Sequence, residues 1–163
     1  MGFFLHQPTV SLELLAMARI FAAALLGTFI GVERSLAGKH AGMRTYALVA
    51  MGSALFVVIS EFLPILGYGA GLDPSRITAA VVMGIGFIGS GLALFSGDAG
   101  HRGEITTAAG IWVAASVGIA CGFGLYVLAA AATVLAIFIF TVLMRLEISA
   151  ERRFPERGVE TLK

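Results

Sequence analysis

Charge is what this chain has least of. Only 13% of its 163 residues are Asp, Glu, Lys or Arg, about half the ~25% of a soluble domain. Hydrophobic residues make up 58%, with 21 glycines besides, and a domain of this size keeps too much of its area near water to hide so much apolar surface in one core. An ordinary globular protein is excluded. Eleven basic residues against ten acidic ones leave a net charge of +1. That is neither the basic stripe of a nucleic-acid binder nor an acidic tail, so no nucleic-acid partner is expected. The single cysteine, Cys121, cannot form an internal disulfide, and its apolar neighbours make it a small buried residue. His6, His40 and His101 all fall outside the long apolar runs, and neither H-E-x-x-H nor G-x-S-x-G occurs. No enzyme and no cofactor is therefore expected, and no metal ligand set is assigned.

What the chain does have is length without charge. A helix crossing the ~30 Å hydrocarbon layer needs ~20 mostly apolar residues. Ile105 to Met144 is an uncharged run of 40 residues, about twice that need, so it must fold back, with Cys121-Gly122-Phe123-Gly124 as the natural turn. Together with Leu12–Val32, Thr45–Leu66 and Ile77–Gly97 this predicts an all-α polytopic membrane protein. Its five transmembrane helices are expected over about 12–32, 45–66, 77–95, 106–120 and 125–143. Residues 1–144 form the membrane domain, and 145–163 a short solvated cytoplasmic tail. Ala16-Met17-Ala18 has the shape of a signal-peptide cleavage site, but no Lys or Arg precedes Arg19 and Glu13 interrupts the apolar region, so a permanent first span is expected. Nine basic residues (Arg34, Lys39, Arg44, Arg102, Arg145, Arg152, Arg153, Arg157 and Lys163) then fall on one side and only Arg76 on the other. The positive-inside rule makes the crowded side cytoplasmic, with the N-terminus outside.

Glycine is the second signature. Gly84-Ile85-Gly86-Phe87-Ile88-Gly89 matches the dinucleotide-binding pattern G-x-G-x-x-G, but no strand precedes it and it lies inside an apolar span. Close helix packing explains Gly84, Gly86, Gly89 and Gly91 better, as it does Gly27-x-x-x-Gly31 and Gly118-x-x-x-Gly122. Some unwinding near 84–91 is allowed if that stretch lines a cavity. A homo-oligomer, most simply a dimer, fits such helices.

Charges in or beside spans carry site information, because each costs ~2.5–3.5 kcal/mol at mid-membrane. Arg19 and Glu61 both lie near the outer ends of consecutive spans, so an intramembrane ion pair is expected, with outward snorkelling of Arg19 as the alternative. Asp73-Pro74-Ser75-Arg76 supplies an N-cap acceptor and a proline at the first helical position; Asp73 and Arg76 could also flank the mouth of a cavity. At the cytoplasmic end Glu33 can pair with Arg44 or with Arg102. Thr106-Thr107 satisfies exposed N–H groups where span four begins, and Trp112 is interfacial or packed.

Gly27-Thr28-Phe29-Ile30-Gly31-Val32-Glu33-Arg34, Ala41-Gly42-Met43-Arg44-Thr45, Asp73-Pro74-Ser75-Arg76, Val81-Val82-Met83-Gly84-Ile85-Gly86-Phe87-Ile88-Gly89 and Thr106-Thr107-Ala108-Ala109 with Trp112 occur in an order that resembles the MgtC/SapB membrane proteins. The resemblance implies a bacterial inner-membrane protein of low-magnesium, stress and virulence-related adaptation, with cation homeostasis or inhibitory binding to the ATP synthase membrane sector as family themes. Its charged motif residues map onto Glu33, Arg34, Arg44, Asp73 and Arg76, with Thr45 beside Arg44. Glu104-Ile105 departs from the usual pattern at span four, and the soluble C-terminal domain of longer members is not expected.

Two classes of function follow. One is a regulatory or interaction protein acting through helix packing with itself or a membrane partner. The other is a transporter or channel for a cation such as Mg2+, an ion that binds through one or two carboxylates with waters retained. Glu61 lies near a span end with Arg19 in reach of it, and no other acid lies deep in any span, so the sequence leans to the interaction reading.

Overall fold

A computed structural model describes residues 10–67, 73–95 and 101–153. Every regular element there is helical: α1 (Val10–Leu36), α2 (Met43–Ile65), α3 (Pro74–Phe95), α4 (His101–Gly122), α5 (Tyr126–Phe138), a π-helical turn (Ile139–Leu143) and α6 (Met144–Arg153). Five of the helical stretches are long and apolar enough to cross a membrane, so the chain is a multi-pass membrane protein.

The helix ends follow from local chemistry. Glu13 in the first turn of α1 and Arg34 in its last both oppose the charge of the helix dipole. Gly38 stops α1 with a φ of +68°, while its N–H bonds Ser35 O and the Lys39 N–H bonds Arg34 O. Gly124 repeats the arrangement after α4, at φ +75°, with its N–H on Cys121 O and that of Leu125 on Ala120 O. Both are Schellman endings, which need a residue tolerant of positive φ. The expected turn after Cys121 therefore falls where the sequence puts it.

Three elements run well past their expected bounds, the first being α1, which covers Val10–Leu36 rather than 12–32. α4 begins at His101 rather than Thr106, so Thr106 and Thr107 lie one turn inside it. The fifth span does not stop at Leu143 but continues through the π turn into α6, as far as Arg153, where Arg145 and Glu147 are exposed. The tail beyond Arg153 lies outside the described residues.

α2 packs along α1 on one flank and α4 on the other, and α4, the most enclosed span, also touches α3 and α5. The seam is built of small residues. A Cβ at Gly27 would stand 2.5 Å from Tyr46 O and 2.8 Å from Ala50 Cβ; one at Gly31 would stand 2.5 Å from Met43 Cα. From the other side, one at Gly118 would run into the Ala50 carbonyl, and one at Gly122 would stand 2.7 Å from Val57 Cβ. Ala50 is thus held between glycines of two helices, and Gly27-x-x-x-Gly31 and Gly118-x-x-x-Gly122 permit backbone contact.

The glycines of α3 do not. A Cβ at Gly84, Gly86 or Gly91 would meet nothing within 4 Å, and one at Gly89 would make only an ordinary 3.6 Å contact with Ala108 Cβ. Within one protomer the expected tight packing of Gly84, Gly86 and Gly91 is therefore absent. The reason is placement: α3 leans on α4 and touches α2 much less, leaving an apolar cleft of about 600 Å³ between α2 and α3. α3 is also an unbroken helix, so the cleft is formed without unwinding.

Candidate functional site

Two polar clusters sit at opposite ends of the bundle. At one end, Arg34 in the last turn of α1 is 1% exposed. Burying a guanidinium is costly unless it is paired. Two partners compensate here. Arg34 Nε donates to Glu33 Oε2, and Nη2 donates to Glu33 Oε1 at 2.7 Å. On its other side the Phe140 ring centroid lies 3.8 Å from Arg34 Cζ, within reach of a cation–π attraction. Phe140 belongs to the π turn, a local widening of the helix that changes which way side chains face. Next to them Tyr46 of α2 is fully buried, and its hydroxyl donates to Thr107 O at 3.3 Å. Gly110 of α4 makes room for it: a Cβ there would run into Tyr46 Oη and stand 2.8 Å from Phe140 Cζ.

Glu33 therefore pairs with its neighbour Arg34, not with Arg44 as the sequence suggested; the side chain of Arg102, the other expected partner, lies outside the described residues. Neighbours on a helix point about 100° apart, and the pairing works because Arg34 is drawn inward beneath Phe140. Arg44 is exposed and Thr45 half-buried on the first turn of α2, so neither joins this cluster. Sequence reasoning missed Phe140, Tyr46 and Gly110. Only an aromatic placed at the Arg34 end of the fifth apolar run hinted at Phe140.

At the other end Arg19 Nη1 donates to Glu61 Oε2 at 2.6 Å and to Gly122 O at 3.0 Å. The second bond went unforeseen. Gly122 is the last residue of α4, where carbonyls lack helical partners and attract a cation. One arginine thus ties α1, α2 and the end of α4 together. The side chains are 19% and 38% exposed, and Arg19 Nε is buried without a partner. A small cavity of about 60 Å³ beside the pair is walled by Leu12, Leu15, Phe62 and Ile65.

Asp73 caps α3. Its carboxylate accepts the Ser75 hydroxyl at 2.7 Å and the Ser75 N–H at 2.9 Å. These bonds, the hydroxyl first, hold its pKa below the ordinary carboxylate value, with Arg76 adding a smaller pull. Asp73 and Arg76 are both exposed and line neither cavity described above. Trp112 is 49% exposed on α4. Among the described residues no cluster of three or more His, Cys, Asp or Glu side chains could hold a metal ion.

The MgtC family model matches residues 20–148. YhiD of Escherichia coli K12, whose name marks it as a candidate magnesium transporter, is 43% identical over 131 residues, 78% of this chain and 60% of YhiD. The MgtC protein of Brucella abortus 2308 is 41% identical over 141 residues, covering 86% of this chain and 56% of the relative. MgtC of Salmonella typhimurium 14028s is 41% identical over 116 residues, 71% of this chain and 47% of that protein. The chain therefore spans about half to three-fifths of the length of these relatives. No solved structure matches it.

Proposed function

The chain belongs to the MgtC family, and from that membership we propose a non-enzymatic, magnesium-related protein of the bacterial inner membrane that acts by docking α3 against a helix of a second copy or of another membrane protein. One observation carries this reading. α3 is the least apolar of the five spans and also the least buried, with 6% of Ser75–Leu92 enclosed against 56% of Ile105–Gly122 in α4. A lipid-facing helix is expected to be the most apolar, as Tyr126–Ser149 is here. Met83, Gly86, Phe87 and Ser90 fall on one face at helical spacing and are all exposed. Glycine there admits another backbone closely. Adaptation to stress and low magnesium is the physiological setting that family membership suggests. The test is disulfide cross-linking in native membranes from single cysteines at Met83 or Phe87, in a Cys121→Ser background. Cross-links that Gly86→Leu removes support docking; no cross-link to any protein at either position rejects it.

The name of YhiD favours a second reading, transport of Mg2+. Saturable Mg2+ flux in proteoliposomes holding the purified chain alone would put transport in place of docking. The arginine on Glu61 weighs against that result, because a conducting path for a hard divalent cation needs carboxylates free to meet it.

A further inference from the structure

Among the described residues, Ile139–Leu143 is the one helical stretch that leaves the α-helical pattern. A π turn bonds each N–H one residue further back than an α-helix does, which inserts one residue, and such turns are rare. Phe140 supplies the reason for this one. It is the buried residue of the turn, 8% exposed. Its ring centroid lies 3.8 Å from Arg34 Cζ, and the notch that admits it is cut by Gly110, where a Cβ would stand 2.8 Å from Phe140 Cζ. α5, before the turn, packs on α4 and α1, whereas α6, after it, makes close contact with the turn itself and little else. α5 is therefore anchored and α6 is free to turn.

We propose that Phe140 is a latch on helix register. Seated between Arg34 and Gly110, it holds α6 one residue, or about 100° at 3.6 residues per turn, behind the position that a continuous α-helix would give it. Released, the turn closes to α-helix and α6 swings round by that angle. Arg145, Leu146, Glu147 and Ile148 are all exposed, and each place around α6 then passes to the residue before it: that of Leu146 to Arg145, that of Glu147 to Leu146. The face offered to a partner changes from apolar to charged, or the reverse. Glu33 is the way in, because its side chain is 15% exposed against 2% for Arg34. A cationic group that takes the Glu33 carboxylate leaves the guanidinium buried without a counter-charge, which is costly, so Arg34 withdraws and Phe140 loses its cover. α3 makes no extensive contact with the turn or α6, so the latch stands whether or not α3 docks.

Spin labels on the full chain in liposomes test this, one at Leu36, exposed at the end of α1, and one at Arg145, Leu146 or Glu147 in turn, in a Cys121→Ser background. In Phe140→Leu the pulsed electron-resonance distances should move by one position: the value that the unsubstituted chain gives at Leu146 should appear at Arg145, and that at Glu147 should appear at Leu146. Glu33→Gln, which leaves the core filled, should give both sets together. Deleting Thr141 removes the inserted residue, so α6 should keep its original distances and Phe140→Leu should no longer move them. Distances left unchanged by Phe140→Leu or by Glu33→Gln, or moved by the deletion alone, would overturn the proposal.

Discussion

The Arg34 guanidinium is clasped between the carboxylate of its neighbour Glu33 and the face of Phe140, 3.8 Å away across the bundle. The contact joins the last turn of α1 to the π turn that follows α5. A desolvated cation–π contact contributes on the order of 2 kcal/mol, and losing one member of a buried pair leaves the other uncompensated. Phe140→Leu should therefore lower the melting temperature in detergent, and Arg34→Ala should lower it more than Glu33→Ala and Arg34→Ala combined. A double variant less stable than Arg34→Ala alone would show that the pair is not what holds this end.

The two kinds of glycine should separate cleanly. Gly118→Leu forces a side chain into the Ala50 backbone and should cost about 3 kcal/mol or more, at the upper end of overpacking effects. Gly86→Leu meets nothing within the protomer and should change protomer stability by less than about 0.5 kcal/mol. Thermal unfolding of both in detergent decides it; equal losses would contradict the seam described here.

Arg19 and Glu61 predict a coupled cycle. Arg19→Ala strands both a half-buried carboxylate and the Gly122 carbonyl, so it should be worse than Glu61→Ala. Adding Glu61→Ala to Arg19→Ala should restore part of the loss. Strictly additive losses would refute the pairing.

Asp73 predicts a dependence on pH. Its pKa is lowered in the folded chain from an ordinary 3.8, so its contribution is present above the unfolded pKa and is lost as pH falls through the lowered folded value. Protection of the first turn of α3 from hydrogen exchange should therefore decline below about pH 4. Asp73→Ala should abolish that decline, and persistence of the same decline in the variant would remove Asp73 as its source.

Orientation is tested by labelling in intact cells with an impermeant thiol reagent and Cys121→Ser as background. A cysteine at His40 should be protected and one at Ser75 labelled. The reverse pattern would invert the topology that the positive charges propose.

The sequence by itself determined the class, the number of spans and the turn after Cys121, but not where α1 or the fifth span ends. Those properties depend on runs of residues and on single residues such as Gly124 that local backbone geometry requires. It also put Arg19 and Glu61 within reach of each other, since consecutive spans joined by a short loop lie antiparallel. Only the tertiary structure decided what each small residue is for. Gly27, Gly84, Gly86 and Gly118 are alike in sequence, each a gap in an apolar run, and a gap matters only if another helix comes to fill it. α2 enters between α1 and α4 and occupies two of those gaps, whereas α3 stands off from α2 and leaves its own open. Phe140 and Arg34 are likewise joined by a π turn that carries no sequence signal. Which faces meet is set by how five nearly uniform apolar cylinders divide their contacts, a balance struck across the whole bundle rather than along any one of them.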